Sequence, residues 1–315
     1  MRILTNIIII ILSCSISAAT AHPDKGAPDK RVVLGVEFDR DHVRDRQVLA
    51  STAHTLQIKG GATITTDPLG DALHLPGPGL DAAGGFVLVS ESVKSFDPLP
   101  SEQFTATAWV RIDKPTQWGG ILSAVSDNGD REKGWILGYD NDSFTFGIST
   151  TGADDGNGAM TYLDGSTRFV TGRWYMVTAT FDSESARLFV NGKLDAQTTE
   201  QHGSVLYEPT TPFAIGAYID SNELYPMQGR IRNAYLFNEA MSADQIAHEF
   251  KRNEMIAQLG QDTDSIFEWV VEPFLCYATQ QSVSIVCEVA TEAEVSVRFR
   301  PAVSRRYRYP HHHAH

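Results

Sequence analysis

The 315-residue chain is 42% hydrophobic and 21% charged, a balance that is typical of packed globular proteins and excludes wholesale disorder. Its net charge is −13, but the five Arg from position 298 onward have no Asp or Glu among them. Without those five and Arg2, 20 Lys and Arg oppose 39 Asp and Glu, so the body carries −19. An acidic body repels phosphate backbones, which argues against nucleic acid as a partner.

Residues 1–21 have the pattern of an export signal. Arg2 supplies a positive start, Ile3 to Leu12 is mostly apolar, and Ala19-Thr20-Ala21 offers a cleavage site. The apolar run is shorter than the roughly 20 residues of a membrane-spanning helix, so no transmembrane segment is expected. Lipoprotein anchoring at Cys14 is an alternative. We therefore expect a secreted, periplasmic or cell-surface protein.

The next region, residues 22–253, is predicted to hold a short linker and then one large β domain. Residues 22–31 are polar and contain two prolines, which is typical of a linker. Short alternating runs between turn residues then predict a sandwich or barrel over residues 32–253. The clearest strand runs from Phe104 to Ile112, with alternate residues apolar. Trp174 to Phe181 is apolar on both faces in places, as expected of a central strand.

Two local signals accompany the strands. Asn191-Gly192 lies between strand-like runs, and this pair favours a two-residue hairpin because both central positions need positive φ. Ser242 is followed three residues later by Gln245, the pattern of a capping box. Ile246 and Phe250 then share a helical face, so one short helix is predicted to close the domain.

The C-terminal part differs from the β domain in its pattern of polar and apolar residues. Residues 254–266 are polar and predict a linker, and alternation resumes over residues 267–301. About 30 residues are too few for an independent sandwich, so the second β unit is incomplete. Residues 302–315 are predicted to form a disordered basic, His-rich tail.

Cys276 and Cys287 are the cysteines that remain beyond the export signal. Export permits a disulfide. A hairpin that turns between Tyr277 and Ser282 would, however, place Cys276 near Val283 and leave the two Cα atoms more than about 7 Å apart. A disulfide between them is therefore disfavoured.

Four segments together resemble a laminin-G-like jelly-roll domain of the concanavalin A-like lectin/glucanase type. They cover about 220 residues and agree in order and spacing. They are Gly70–Leu75 with Phe86-Val87, Phe104–Val110, Gly172–Phe181 with the Asn191-Gly192 hairpin, and Phe213–Gly216 with Gly229–Ile231, Ala234–Asn238 and the helix from Ser242. The resemblance implies an all-β sandwich that binds glycans, proteins or peptides, while the fold itself does not determine the ligand.

The same resemblance implies a structural calcium ion. Its ligands are an acid just after the first strand and acids after the Gly-x-Ile of a closing strand. Here the first place reads Leu75-Pro76-Gly77 and the second Ile231-Arg232-Asn233. Calcium prefers hard oxygen ligands, and Arg232 brings a positive charge instead, so this pattern argues against calcium there.

A second resemblance covers Val270 to Pro301. Val271–Leu275 and Thr279–Ile285 look like the start of the fibronectin-III-like domain that precedes the catalytic domain of purple acid phosphatase-type metallophosphoesterases. That family's metal-binding Asp-x-His, Gly-Asp and Gly-Asn-His motifs do not follow. The alternative interpretation is therefore the targeting portion of a truncated metallophosphoesterase.

The residues most suited to ligand contact are exposed aromatic side chains beside polar clusters. Trp118 and Tyr139 are candidates for stacking on a sugar, and Asp127, Asn128 and Asp140 offer oxygens and an amide. Asp127–Asp130 and Asp140–Asp142 could also hold calcium, but turn formation explains both clusters. A rim-packed Trp118 or Tyr139 is the competing structural interpretation.

No catalytic pattern accompanies these candidates. The Glu-x-Asp-x-Glu run of glucanases, the Gly-x-Ser-x-Gly elbow and the His-Glu-x-x-His motif are missing from the sequence. His54, His74 and His202 have no partners at metal-binding spacing. The sequence therefore predicts an exported, non-catalytic module that binds carbohydrate or an extracellular protein at loops on the sandwich rim, without a cofactor.

Overall fold

The computed structural model describes residues 12–15, 30–67, 69–78, 84–96, 98–128, 131–153, 160–259, 269–278 and 282–289. Contacts divide the chain into two compact units. One unit is His22–Asp264, and the other combines Met1–Ala21 with Ser265–His315. The predicted tail at 302–315 and most of the predicted export signal lie outside the described residues.

The described strands, in chain order, are β1 (Leu12–Ser15), β2 (Val32–Glu37), β3 (Val43–Arg44), β4 (Gln47–Leu49), β5 (Thr55–Lys59), β6 (Thr63–Asp67), β7 (Gly70–Pro76), β8 (Phe86–Ser90), β9 (Phe104–Lys114), β10 (Gly119–Asn128), β11 (Arg131–Asp140), β12 (Ser143–Ile148), β13 (Thr161–Arg168), β14 (Trp174–Phe181), β15 (Ala186–Val190), β16 (Lys193–Thr198), β17 (Phe213–Ile215), β18 (Ala217–Ile219), β19 (Leu224–Pro226), β20 (Gln228–Phe237), β21 (Trp269–Ala278) and β22 (Ser282–Val289). The helices are a 3₁₀ turn at Val93–Ser95, α1 (Ala243–Asn253) and α2 (Met255–Leu259).

Two antiparallel sheets form the larger unit. The nine-stranded sheet has the order β13-β12-β11-β10-β17-β8-β5-β4-β3. The eight-stranded sheet has the order β16-β15-β14-β9-β20-β7-β6, with β2 paired to β20. A separate hairpin, β18-β19, follows β17. This arrangement confirms the predicted all-β jelly-roll sandwich.

The core lies between the two sheets because alternate residues of each strand point inward. Strand β9 shows the pattern as predicted, since one buried cluster contains Phe104, Ala106, Ala108, Val110 and Ile112. The same cluster includes Trp135, Phe144 and Phe146 from the facing sheet. All eight residues of β14 are buried, and it lies between β15 and β9, which confirms it as a central strand.

The predicted hairpin and helix cap are both present. Asn191 and Gly192 have φ of 50° and 78°, and Val190 pairs with Lys193 across the two-residue turn. Ser242 Oγ accepts from Gln245 N while the Gln245 side chain accepts from Ser242 N, which completes the capping box. Helix α1 buries Ile246 against the outer side of β14 and β9, beside Trp109 and Trp174.

The predicted linker at 254–266 is wrong at its start. Residues Met255–Leu259 form α2, and Ile256 and Ala257 are buried in the same cluster as Trp174. The polar composition of the whole stretch hid this short apolar face, whose burial stabilises the helix. Within the described part of the chain, neither α1 nor α2 has the length and apolar character that crossing a membrane requires.

The smaller unit contains a three-stranded sheet of order β1-β22-β21. Strands β21 and β22 form the hairpin expected in this region. Its register differs from the expected one, because Val283 pairs with Ala278 and not with Cys276. Cys276 falls at an irregularity between Leu275, which pairs with Ile285, and Tyr277. Cys14, within β1, pairs with Val283.

Candidate functional site

A cavity of about 680 Å³ opens on the outward face of the nine-stranded sheet, beside the β18-β19 hairpin. We call it the Trp118 pocket. Its lining residues are Trp118, Gly119, Asp127, Ile136, Tyr139, Asp140, Thr145, Tyr162, Asp164, Tyr218, Asn222, Glu223 and Tyr225. Its size lies in the range of small-ligand sites, which run to about 300–1,000 Å³.

Strand alternation builds the floor of the pocket. Asp127 of β10, Ile136 of β11, Thr145 of β12 and Tyr162 of β13 line the cavity. Neighbours of opposite parity, such as Leu137 of β11, face the core between the sheets. Because side chains alternate across a strand, the outward side chains of these four adjacent strands share one face of the sheet. The pocket therefore lies on the face of a sheet and not only in rim loops.

Gly147 allows Tyr162 to lie close to this floor. A Cβ at Gly147 would come within 2.8 Å of Tyr162 Cε1 and within 3.0 Å of Met160 Sδ. Any larger residue at position 147 would therefore push the Tyr162 ring outward. The ring is 44% exposed, and its hydroxyl donates to Asp127 Oδ2 at 3.4 Å.

The β18-β19 hairpin forms the wall of the pocket. Asp220 holds its turn, since Oδ1 accepts from the backbone N of Asn222 at 3.0 Å and of Glu223 at 2.8 Å. The other oxygen of Asp220 accepts from Asp127 N at 3.2 Å, which ties the hairpin to β10. Glu223 then accepts a hydrogen bond from the Tyr225 hydroxyl at 3.1 Å.

Trp118 stands at the turn that leads into β10. Its φ is 60°, an uncommon value for a bulky residue, and its side chain is 50% exposed. The ring meets Tyr225 edge to face at 5.4 Å, and Tyr225 in turn lies 5.5 Å from the buried ring of Tyr218. Three aromatic side chains thus form one side of the pocket.

Of the five ligand-contact candidates from the sequence, Trp118, Asp127 and Asp140 meet at the pocket. Asn128 ends β10, and its side chain lies outside the described part. The expectation that Tyr139 is exposed was wrong. Tyr139 is 1% exposed, because its place in β11 directs the ring into the core, where it packs edge-on against Phe169 at 5.7 Å. Tyr139 nevertheless contributes to the lining of the pocket.

Burial accordingly raises the pKa of the Tyr139 hydroxyl, which pairs with Thr116 Oγ1 at 3.0 Å. The turn interpretation of Asp140-Asn141-Asp142 is confirmed. Asp140 pairs with Ser143 across a two-residue turn in which Asn141 has a φ of 51°.

Tyr162, Tyr218 and Tyr225 were not identified from the sequence. Tyr162 shares a strand face with Asp164, and this alternation of an aromatic residue with an acid was a usable signal. Tyr218 and Tyr225 pair with one another across the β18-β19 hairpin. Their position over the sheet depends on long-range contacts, which no local pattern shows.

The implied calcium ion does not fit the residues around Arg232. Its guanidinium lies 3.2 Å from Asp67 Oδ1, donates to Leu69 O at 2.7 Å and stacks 5.0 Å above the ring of Trp174. Arg230 Nη1 lies 3.6 Å from the other oxygen of Asp67. With two guanidinium groups around one carboxylate, a divalent cation would meet net repulsion.

A second cavity of about 340 Å³ lies on the outer side of the eight-stranded sheet, beside α1. Glu37 lines it and accepts a hydrogen bond from the Tyr235 hydroxyl. Desolvation by burial raises the pKa of Glu37 above its ordinary value of 4.5, although the hydrogen bonds from Tyr235 and Asn233 oppose the shift.

Comparison with protein families places the pocket within a known domain. Residues 84–247 match the family model Laminin_G_3, described as the concanavalin A-like lectin/glucanases superfamily. The match covers just over half of the 315 residues and includes every described residue that lines the Trp118 pocket.

The curated relatives are much longer proteins. Pappalysin-1 of Mus musculus is 22% identical over 175 residues, which are 52% of this chain and 10% of that protein. Pappalysin-1 of Homo sapiens is 26% identical over 124 residues, which are 36% of this chain and 7% of that protein. The matched stretch is therefore a tenth or less of these relatives.

Solved structures share the fold at low identity. Domain 4 of an extracellular GH43 arabinanase from Geobacillus stearothermophilus, in complex with arabinotriose, has a TM-score of 0.50 and 16% identity, covering 72% of this chain and 98% of that one. The binding domain of Paraclostridial Mosquitocidal Protein 1 has a TM-score of 0.52 and 13% identity, covering 71% and 52%. These likenesses show the sandwich fold.

Proposed function

Because the chain belongs to the concanavalin A-like lectin/glucanase superfamily, we propose that it is an exported, non-catalytic module that binds carbohydrate in the Trp118 pocket. The observation that carries this proposal is the grouping of Trp118, Tyr162 and Tyr225 around a cavity of about 680 Å³. Sugars have apolar C–H faces that pack on aromatic rings, and their hydroxyl groups bind polar side chains such as Asn222.

The solved arabinanase domain of the same fold supports the proposal, since that domain is in complex with arabinotriose. Export rests on the N-terminal pattern of Arg2, the apolar run and Ala19-Thr20-Ala21. Protein purified from the culture medium or periplasm should begin at His22. A mature protein that retains Met1 would contradict export by this signal.

A glycan array identifies the ligand, and calorimetry on the best glycan tests the site. Trp118→Ala and Tyr162→Ala should each weaken binding about tenfold, because each removes a stacking surface of about 1–2 kcal/mol. Leu194→Ala is the matched control, since Leu194 is 49% exposed and does not line the pocket. Unchanged affinity in both aromatic variants would place the carbohydrate elsewhere.

The non-catalytic part of the proposal rests on the missing Glu-x-Asp-x-Glu run, which in glucanases projects catalytic carboxylates from one strand face. Incubation with β-glucans followed by reducing-sugar measurement should show no release above that of a heat-inactivated sample. Hydrolysis that disappears in Asp127→Asn would show that the pocket is catalytic.

A second candidate function is the targeting of a metallophosphoesterase. It is favoured by the resemblance of Val270 to Pro301 to the accessory domain of those enzymes, together with the β21-β22 hairpin at that place. The test is to read the genomic sequence beyond the codon for Arg300 in all three frames. A frame that encodes Asp-x-His, Gly-Asp and Gly-Asn-His would support it, and three frames without them would refute it.

A further inference from the structure

The charge of the Trp118 pocket is one-sided. Asp127, Asp140, Asp164 and Glu223 line it, whereas its described lining includes no Lys, Arg or His. Within the described ranges, none of these four carboxylates forms an ion pair with a basic side chain. The acids of the pocket therefore leave a net negative charge around an open cavity.

Several carboxylates elsewhere on the larger unit have a cationic partner. Asp182 lies 2.7 Å from Arg187, Asp142 lies 2.8 Å from Arg168, and Glu208 lies 3.1 Å from Lys133. Some acids of the larger unit therefore carry countercharges, whereas the four pocket carboxylates have none among the described residues. Clefts with charge of one sign concentrate ligands of the opposite sign.

The negative charge of the pocket contributes to raised pKa values of its tyrosines. Burial is the main cause that raises the pKa of Tyr162, and the charges of Asp127 and Glu132 raise it further. For Tyr218, burial again leads, followed by Asp127 and Asp220. Both hydroxyl groups therefore stay protonated and neutral, and their rings keep the uncharged π faces that attract cations.

Exposed rings and unpaired carboxylates together make a site for a positive charge. A cation held against Trp118 or Tyr225 would gain a cation–π contact and would also lie near Glu223, which accepts from Tyr225. We infer that the Trp118 pocket selects glycans that carry free ammonium groups, such as oligomers of de-N-acetylated amino sugars. This inference rests on the proposed carbohydrate-binding function.

The position of the pocket favours such a glycan over a cationic peptide. A peptide strand gains affinity by adding to a sheet edge, where backbone groups are unpaired. The central strands of the floor, β11 and β12, have backbones that are paired on both sides, while β13 forms an edge of the sheet. Ligand recognition over these central strands therefore depends on side-chain contacts. A sugar ring with attached amines binds through such contacts.

The test compares two ligands that differ only in charge. Calorimetry at about pH 6, where amines are protonated and carboxylates ionised, should measure binding of the exported protein to a glucosamine hexamer and to its N-acetylated form. The amine form should bind at least about tenfold more tightly. Its Kd should rise several-fold between about 0.05 M and about 0.5 M NaCl, because salt screens the attraction.

Variants locate the charge effect. Asp127→Asn and Glu223→Gln should each lower the affinity ratio of the amine form to the N-acetylated form by about two- to fivefold, as expected for partly exposed charge pairs. Glu200→Gln is the matched control, since Glu200 is exposed and does not line the pocket. Circular dichroism and thermal unfolding check that each variant is folded.

The outcomes separate the two proposals. Equal binding of the two hexamers, or a ratio that Asp127→Asn and Glu223→Gln leave unchanged, would overturn selection for the amine while carbohydrate binding stands. Tight binding of a lysine-rich peptide without binding of the glucosamine hexamer would overturn the glycan assignment. Failure of every glycan on the array would refute the proposed function itself.

Discussion

Single side chains in this sandwich have different electrostatic surroundings depending on which sheet face they occupy. On the outer side of the eight-stranded sheet, Glu37 accepts hydrogen bonds from the side chains of Tyr235 and Asn233. Burial there raises its pKa above 4.5, so the folded state holds this proton more tightly than the unfolded state does.

The sign of the resulting pH effect can be derived. The stability that this proton contributes is fully present below about pH 4.5 and is lost as the pH rises through the raised pKa of Glu37. In urea unfolding between about pH 4 and pH 8, Glu37→Gln should therefore gain stability relative to the wild type as the pH rises. The amide keeps an acceptor for Tyr235, and Glu200→Gln controls for the change in net charge. If the difference in stability between Glu37→Gln and the wild type did not change with pH, the raised pKa of Glu37 would be contradicted.

At the scale of elements, the contact between β12 and β13 determines how far the aromatic floor of the pocket projects. Gly147 of β12 leaves room for the Tyr162 ring, and Ile136 Cγ2 and Met160 Sδ would each lie 3.0 Å from a Cβ at this position. A glycine inside a strand weakens it locally, but here its small size permits a close approach.

Gly147→Ala should therefore destabilise the protein by about 1–3 kcal/mol, as overpacking does, and should weaken binding of the best array glycan. Urea unfolding gives the first quantity and calorimetry the second. A double-mutant cycle with Tyr162→Ala is the control, because removal of the ring relieves the closest contact and should recover part of the lost stability. Strict additivity would show that Tyr162 does not lie over Gly147.

Local signals predicted the fold well. Alternation in β9, the Asn191-Gly192 turn and the cap at Ser242 are each read within about ten residues, and all three are confirmed. The pocket was harder, because Asp127 and Asp220, whose hydrogen bond joins its floor to its wall, lie 93 residues apart. The burial of Tyr139 was also hard to predict, because the residues next to it in sequence did not reveal which face of β11 packs against the core.

At the scale of the whole molecule, the guanidinium groups of Arg230 and Arg232 place fixed positive charge where the resemblance to laminin-G-like domains implies a calcium ion. A protein that binds a cation only in its folded state gains stability from it, by about 2.7 kcal/mol when the cation is at 100 times its Kd. Here Asp67 already has its countercharge.

The thermal midpoint should therefore change by less than about 1 °C between buffers with excess chelator and with millimolar calcium. Scanning calorimetry measures this directly, and magnesium at equal ionic strength controls for general salt effects. A rise of several degrees specific to calcium would show that the protein holds the ion at some site.

The β18-β19 hairpin has a consequence for how such proteins diverge. Its ten residues, 217–226, join β17 and β20 and supply Tyr218, Glu223 and Tyr225 to the pocket. The core between the two sheets is formed by other strands, and the hairpin packs onto the outer face of the nine-stranded sheet through Tyr218. A graft of this hairpin between relatives, made together with the residues that pack on Tyr218, is therefore a direct way to transfer ligand preference.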